Sequence, residues 1–438
     1  MKRQDDRHRM PLPGSIHIAP AEVAGSLSAP ASKSVAQRAI ALASMCRGRS
    51  RILSPGSCDD VLAAIRVCRS LGARITGDQE GLSIDGGLAA PQEPLNCGES
   101  GLGIRLFTLL AATFDQEITL VAEGSLRQRP MDMAEKALQA LGAACRSREG
   151  RPPLQVRGPL RGGEAAIDGS QGSQVLTGIL IASPRAQADV HLRVSRLTSR
   201  PYIDTTIQVM RAFGFEVMQE DYSRFYIRSG QAGRPATYRV EGDWSGAAFL
   251  LVAGAVAGEA EVSNLDPIST QADRAVLDAL HACGARVDRG DEKDGRASFR
   301  VARASLDAFD MDATHCPDLF PPLVALAACC RGTSRLQGAG RLHVKESDRA
   351  ATLIDAFTRM GVHIWQDGDS LLVEGGTIRG GLIRSHGDHR IAMAGAVAAL
   401  TSRKGVTIEQ PEVVNKSWPG FFEDLQRISI RHQHGKTL

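Results

Sequence analysis

Apolar side chains recur along the chain at the spacing that lines one face of a helix. Val61, Ile65 and Cys68 stand at i, i+4 and i+7, as do Ala134, Leu138 and Leu141, and Val276, Leu280 and Cys283. Such spacing predicts amphipathic helices with their apolar stripe on a core. Each pattern is opened by an acidic residue, closed by glycine and followed by an apolar-rich run that reads as a strand. The unit runs from Asp60 to Leu71-Gly72-Ala73, Asp132 to Leu141-Gly142-Ala143, and Asp204 to Phe213-Gly214-Phe215. It returns from Asp273 to Cys283-Gly284-Ala285 and from Asp348 to Met360-Gly361-Val362, with a degenerate copy over Phe421 to Arg427. An Asp at a helix start caps free N–H groups and complements the dipole. A glycine at the end takes the left-handed conformation that stops a helix.

The five glycines are 70, 72, 70 and 77 residues apart. A unit of roughly 70 residues is longer than one strand and helix need, so each is expected to hold more than one of both. Six units over 438 residues predict an α/β protein with two similar lobes of three repeats. The midpoint falls near Val240-Glu241-Gly242-Asp243.

Composition narrows the class. Apolar residues make up 43% and charged residues 23%, ordinary globular values, while aromatics are only 4% and glycines number 45. Lys and Arg total 52 against 49 acidic residues, with no basic stripe or tail of the kind nucleic acid needs. The nine cysteines show no zinc or redox spacing and read as reduced core thiols of a cytoplasmic protein. The polar start, Met1 to Met10, precedes no hydrophobic run, so no signal peptide is expected, and no stretch approaches the roughly 20 apolar residues of a membrane span.

Basic residues collect at helix starts, where the dipole disfavours them. Ser32-Lys33-Ser34 with Arg38 precedes the helical run Ala39 to Met45. Asn96 to Arg105 is glycine-rich and leads into a helix read as Leu106 to Thr113. Arg129-Pro130, Gly172-Ser173-Gln174 and Ser199-Arg200-Pro201-Tyr202-Ile203-Asp204 follow. In the second half stand His315-Cys316-Pro317-Asp318, Val344-Lys345-Glu346-Ser347-Asp348-Arg349, Asp388-His389-Arg390 and Asn415-Lys416, each read as a turn leading into a helix. Repeated violation of a local rule points to function, here the binding of small anions. The glycine-rich segment is neither a phosphate loop of the Walker type nor a dinucleotide fingerprint. His386-x-x-His389 lacks a third ligand and reads as polar surface or support, not a metal site; His432-x-His434 reads as tail.

Taken together and in order, these segments resemble the 5-enolpyruvylshikimate-3-phosphate synthase family from about Ala29 to Pro419. The resemblance implies a two-lobed inverted α/β barrel, each lobe three βαβαββ repeats. It implies one continuous lobe over residues 32–241 and a second made of residues 1–31 and 242–438. The activity implied is transfer of the enolpyruvyl group of phosphoenolpyruvate to the 5-hydroxyl of shikimate 3-phosphate, with no cofactor or metal, by a monomer. For shikimate 3-phosphate the resemblance implies Lys33, Ser34, Arg38 on the carboxylate, Ser173, Ser199 and Lys345 around the phosphate, Gln174 and Tyr202 on the ring, and Asp318. For phosphoenolpyruvate it implies Lys33, Gly101, Arg129, Gln174, Arg349, Arg390 and Lys416. Asp318 is the candidate for the proton of the attacking hydroxyl and Glu346 for transfer at C3, with Lys33 assisting. Both carboxyls are expected to be raised in pKa by burial as the cleft closes.

Five positions depart from the family pattern. Glu99 and Leu102 replace Asn and Thr in the glycine-rich loop, Gly172 stands where a phosphate-binding Ser is usual, and Arg341 where Asn is frequent. Leu106 also takes a position that is Pro in part of the family. Glu99 is compatible with an anionic donor only if it turns away or pairs with a cation. Two other readings share the architecture. One is the sister transferase acting on UDP-N-acetylglucosamine, which would have Lys-Asn in place of Lys33-Ser34; the other is a non-catalytic anion- or RNA-binding protein, which would lack Asp318 or Glu346.

Overall fold

A computed structural model describes residues 14–78 and 80–430; the charged start and the His432-x-His434 pair lie outside them. The periodic segments form six amphipathic helices: Asp59–Ser70, Asp132–Ala140, Pro201–Ala212, Val276–Ala282, Arg349–Arg359 and Phe421–Arg427. The five spacer glycines have φ between +76° and +95°, the left-handed stop that the pattern predicts. The acidic openers behave differently. Asp348 does cap its helix, accepting from the Ala351 N–H at 3.2 Å. Asp60, Asp204 and Asp273 instead turn to side-chain partners: Lys33, Tyr222 and Tyr202.

A second set of six helices is buried nearly all round: Lys33–Met45, Gly101–Ala111, Gln174–Ala182, Trp244–Ala257, Phe320–Ala327 and His389–Ala399. Their small apolar residues show no helical stripe because no face meets water. Two begin earlier than the sequence reading had them, at Lys33 and at Gly101. The Ser100 hydroxyl accepts from the Gly103 N–H at 3.0 Å and so caps a helix whose first turn contains the glycines read as loop.

Six small sheets share one pairing rule. In the first, Gly48–Leu53 pairs parallel with Thr237–Arg239 and antiparallel with Gly81–Gly86, which pairs antiparallel with Arg74–Gly77. The same order surrounds Glu117–Val121, Val190–Ser195, Gly258–Leu265 and Thr333–Gln337. Val406–Glu409 keeps the parallel and the first antiparallel partner. One apolar core runs from Val35 to Val240; the other gathers Val23 to Ala29 with Trp244 to Ile428. Between them the two passing strands of chain touch once, at the bridge Ala31–Gly242.

Glycines that close the third strand of a repeat pack on the end of a buried helix. A Cβ on Gly86 would lie 2.0 Å from the carbonyl oxygen of Cys46, on Gly158 2.1 Å from that of Ala112, and on Gly375 1.9 Å from that of Cys330. Backbone oxygens cannot swing aside as side chains do. Gly86→Ala should therefore cost about 3 kcal/mol of unfolding free energy, measured in urea; a change below about 1 kcal/mol would show that the strand shifts freely.

Candidate active site

The buried helices matter because of where they start. One cavity is lined by Lys33 and Ser34, Gly101 and Leu102, Ser173 and Gln174, Asp243 and Ser245, Asp318, and Arg390. All but Asp318 belong to the first turns or caps of the buried helices, and Asp318 lies in the 3-10 turn Pro317–Leu319 that leads into the sixth, so three starts come from each lobe. Free N–H groups and dipole ends thus converge from both sides, a setting that favours anions and tolerates anionic side chains. The basic residues at these starts, Lys33 and Arg390, are offset by the carboxylates of Asp60 and Asp318.

Arg38, Arg129, Ser199, Tyr202, Lys345 and Glu346 complete the same cavity. Arg38 is buried and held by Thr206 Oγ1 at 2.9 Å, the Ser34 carbonyl at 2.8 Å and Thr177 Oγ1 at 3.3 Å. Burial lowers its guanidinium to about 10. Arg129 lies over Gly101: a Cβ there would sit 2.3 Å from Arg129 Nη1 and push the guanidinium aside. Lys33 donates to Asp60 at 2.8 Å. Burial is the largest influence and would lower the Lys33 ammonium, but Asp60, Glu346 and Cys58 together outweigh it and keep the charge.

Arg349 and Lys416 do not line the cavity. Arg349 has no exposed surface and donates to Asp388 at 2.9 Å, Asp318 at 2.8 Å and Glu346 at 2.5 Å. It stands behind the carboxylates and fixes both. Lys416 is buried at the end of the 3-10 turn Pro411–Lys416, not at a helix start as the sequence reading had it. Its ammonium meets Glu99 from the other lobe at 3.1 Å. Glu99 also accepts from the Ser125 N–H at 3.1 Å, so the acidic residue in the glycine-rich segment is paired.

Burial does not decide the ionisation of the two carboxylates. Burial alone would raise Asp318, but Arg390, Lys345 and Arg349 outweigh it and hold the carboxyl well below its ordinary range. Arg390 lies 3.1 Å away and Lys345 3.5 Å. Burial of Glu346 is likewise outweighed, chiefly by Arg349 and Arg129. Both groups are ionised in the substrate-free cleft because the cations assembled for substrate find them first. Lys345 goes the other way: burial, with Arg341 and Arg349 nearby, lowers its ammonium to about 8 despite Asp318.

Several contributors escaped the sequence reading. Arg105 binds the Gly101 carbonyl at 2.9 Å, Gln174 at 3.1 Å and the Pro130 carbonyl at 3.0 Å, tying three segments of the site together. Its signal was an arginine inside an otherwise apolar helix. Asp273 accepts from the Tyr202 hydroxyl of the opposite lobe at 3.1 Å, and burial raises its carboxyl to about 6. Asp60 and Asp273 looked like helix openers, and nothing local distinguishes them from Asp348. Asp388 caps the helix His389–Ala399 through the Arg390 N–H at 3.0 Å while holding Arg349. His389 is buried against Arg390 at 2.8 Å; burial, then Arg390, hold it well below its usual value.

Comparison with known proteins agrees with this geometry. The chain matches the family model described as EPSP synthase (3-phosphoshikimate 1-carboxyvinyltransferase) over residues 18–425. It is 40% identical over 412 residues to a 3-phosphoshikimate 1-carboxyvinyltransferase of Thermococcus kodakarensis, covering 93% of this chain and 98% of that protein. With the protein of the same name from Methanocorpusculum labreanum it shares 37% over 419 residues, 94% of this chain and 97% of the other. The solved EPSP synthase of Acinetobacter baumannii superposes with a TM-score of 0.80 at 29% identity, over 95% of this chain and 98% of that one. The two-lobed inverted α/β architecture is therefore common to both, and the chain belongs to the EPSP synthase family.

Proposed function

We propose that this chain transfers the 1-carboxyvinyl group of phosphoenolpyruvate to the 5-hydroxyl of shikimate 3-phosphate, releasing phosphate through a tetrahedral addition intermediate. The observation that carries the reading is the pair Asp318 and Glu346, ionised and 14–21% exposed, in a cleft walled by cations from both lobes. Two phosphates and two carboxylates need such a wall, and planar Arg suits them best. An anion- or RNA-binding protein has no use for the two carboxylates. Lys33-Ser34 disfavours the UDP-N-acetylglucosamine reaction, and the relatives compared above carry the shikimate name. In this reading the lobes divide at 31/32 and 241/242, and the protein works as a monomer in the cytoplasm without a cofactor. No described helix is long and apolar enough to cross a membrane.

Substrate anions entering the cleft compete for Arg129, Arg390 and Lys345. As these cations turn to phosphate and carboxylate, their hold on Asp318 and Glu346 weakens and both carboxyls rise toward the range where they exchange protons. Asp318 then takes the proton of the attacking hydroxyl, and Glu346, once protonated, delivers one to C3 of the donor; in the elimination that follows Glu346 takes a proton back from C3 as the C2–O bond to phosphate breaks. Lys33, kept charged by Asp60, stabilises the departing phosphate. Ser173, Ser199 and Lys345 hold the acceptor phosphate, with Arg38 and Ser34 on its carboxylate side and Tyr202 and Gln174 on its ring. Gly101, Arg129, Gln174 and Arg390 serve the donor, Lys416 bears on it from outside the cavity through Glu99, and Arg349 acts from behind by fixing both carboxylates.

Phosphate release should require both substrates, and Glu346→Gln should slow it about 100-fold or more, with binding of shikimate 3-phosphate retained. Release by the variant at the parental rate would remove Glu346 from the chemistry.

Lys345 supplies a pH test. Its ammonium is charged below about 8 and neutral above, so its attraction for phosphate is full on the acid side and fades as pH rises. KM for shikimate 3-phosphate should rise about 10-fold between about pH 7 and about pH 9, and Lys345→Met should start high and lose that dependence. A flat KM in the parent protein would contradict the assignment.

A further inference from the structure

The acceptor-phosphate end of the cleft holds a cation that the reading above leaves unused. Arg341 lies in the turn Ala339–Val344, half-buried, and lines the cavity. Its Nη2 donates to Ser199 Oγ at 2.7 Å and its Nη1 to the Thr314 carbonyl at 3.2 Å. Its Nε is buried and has no hydrogen-bond partner among the described residues. Facing it is Gly172, with φ +129°; a Cβ built there would meet only Arg341 Nη2, at 4.0 Å. The segment before Ser173 thus leaves a gap, and a guanidinium looks into it.

Two features make this gap a place for an anion. Lys345 brings a second positive charge to the same wall, and Arg341 is one of the charges that lower its ammonium. Like charges held together in a half-buried site are stable when an anion sits between them. Ser199 adds direction. Because its Oγ accepts from Arg341, its own proton is left to donate elsewhere, and Ser173 lines the same space.

We infer that Arg341 is a direct ligand of the acceptor's phosphate, filling with a charge-assisted hydrogen bond the space open at Gly172 and setting the preference for a phosphorylated acceptor. The inference rests on the acceptor proposed above. A guanidinium spans the gap where a hydroxyl on a left-handed residue would be strained. It also ties the phosphate to both lobes at once, since Ser199 and Arg341 belong to different cores.

The test uses the full chain and the variants Arg341→Gln and Arg341→Lys. Equilibrium binding is measured for shikimate 3-phosphate and for unphosphorylated shikimate, with KM for phosphoenolpyruvate alongside. Arg341→Gln should weaken shikimate 3-phosphate about 10- to 100-fold and shikimate by less than about threefold, narrowing the discrimination between them. KM for phosphoenolpyruvate should move less than about threefold, and Arg341→Lys should recover part of the loss because it keeps the charge. Equal losses for both acceptors, or a rise in donor KM as large as the acceptor loss, would make Arg341 a strut between lobes and overturn the inference. Unchanged binding of shikimate 3-phosphate by Arg341→Gln, in a protein that turns it over, overturns the inference alone. Failure of the parent protein to bind shikimate 3-phosphate overturns the inference and the proposed function together.

Discussion

Arg349 is a cation with no contact with water, and three carboxylates surround it. A buried charge persists only when paired, and removing one partner of such a pair costs about 3–5 kcal/mol. Here the pairing leaves an excess of negative charge around one guanidinium, which Arg390, Lys345 and Arg129 offset from the cavity side. The cleft is therefore a balanced cluster before any substrate arrives. Arg349, Arg390, Lys345 and Arg129 each face a protein carboxylate, and Asp318 and Glu346 are each held ionised by more than one cation.

That balance is possible because the fold delivers six helix starts to one place. Had the same residues been scattered over a surface, water would have screened them and their pairings would contribute little. Burying the helices removes the water, and the glycines make the approach close enough: Gly101 admits the Arg129 guanidinium, and Gly86, Gly158 and Gly375 let strands lie against helix ends. Four of the contacts that join the lobes, Tyr202 to Asp273, Arg129 to Glu346, Lys416 to Glu99 and Arg341 to Ser199, each use a group that the proposals above assign to the substrates. In those proposals substrate binding and lobe contact are coupled through shared atoms.

Much of this was legible in the chain itself. The stop glycines at 72, 142, 214, 284 and 361 marked the repeat because a left-handed turn has a local cause, written in one residue. The amphipathic helices were legible for the same reason, since one face meets water and the pattern records it. Lys and Arg at helix starts were legible as an offence against the dipole. The buried helices were less so, and two were started late, because a segment buried all round carries no stripe and its capping residues look like loop.

What the sequence could not decide was who meets whom. Asp60, Asp273 and Asp348 are alike in their neighbours along the chain, yet one keeps Lys33 charged, one receives Tyr202 from the opposite lobe, and one caps a helix. The ionisation of Asp318 and Glu346 depends on which cations stand within a few ångströms, and those come from segments far apart in the chain. Residue type and local spacing are properties of the chain and determined the repeats, the class of fold and the demand for anions. Pairing between distant charges is a property of three-dimensional proximity and burial, and only the tertiary structure decided it.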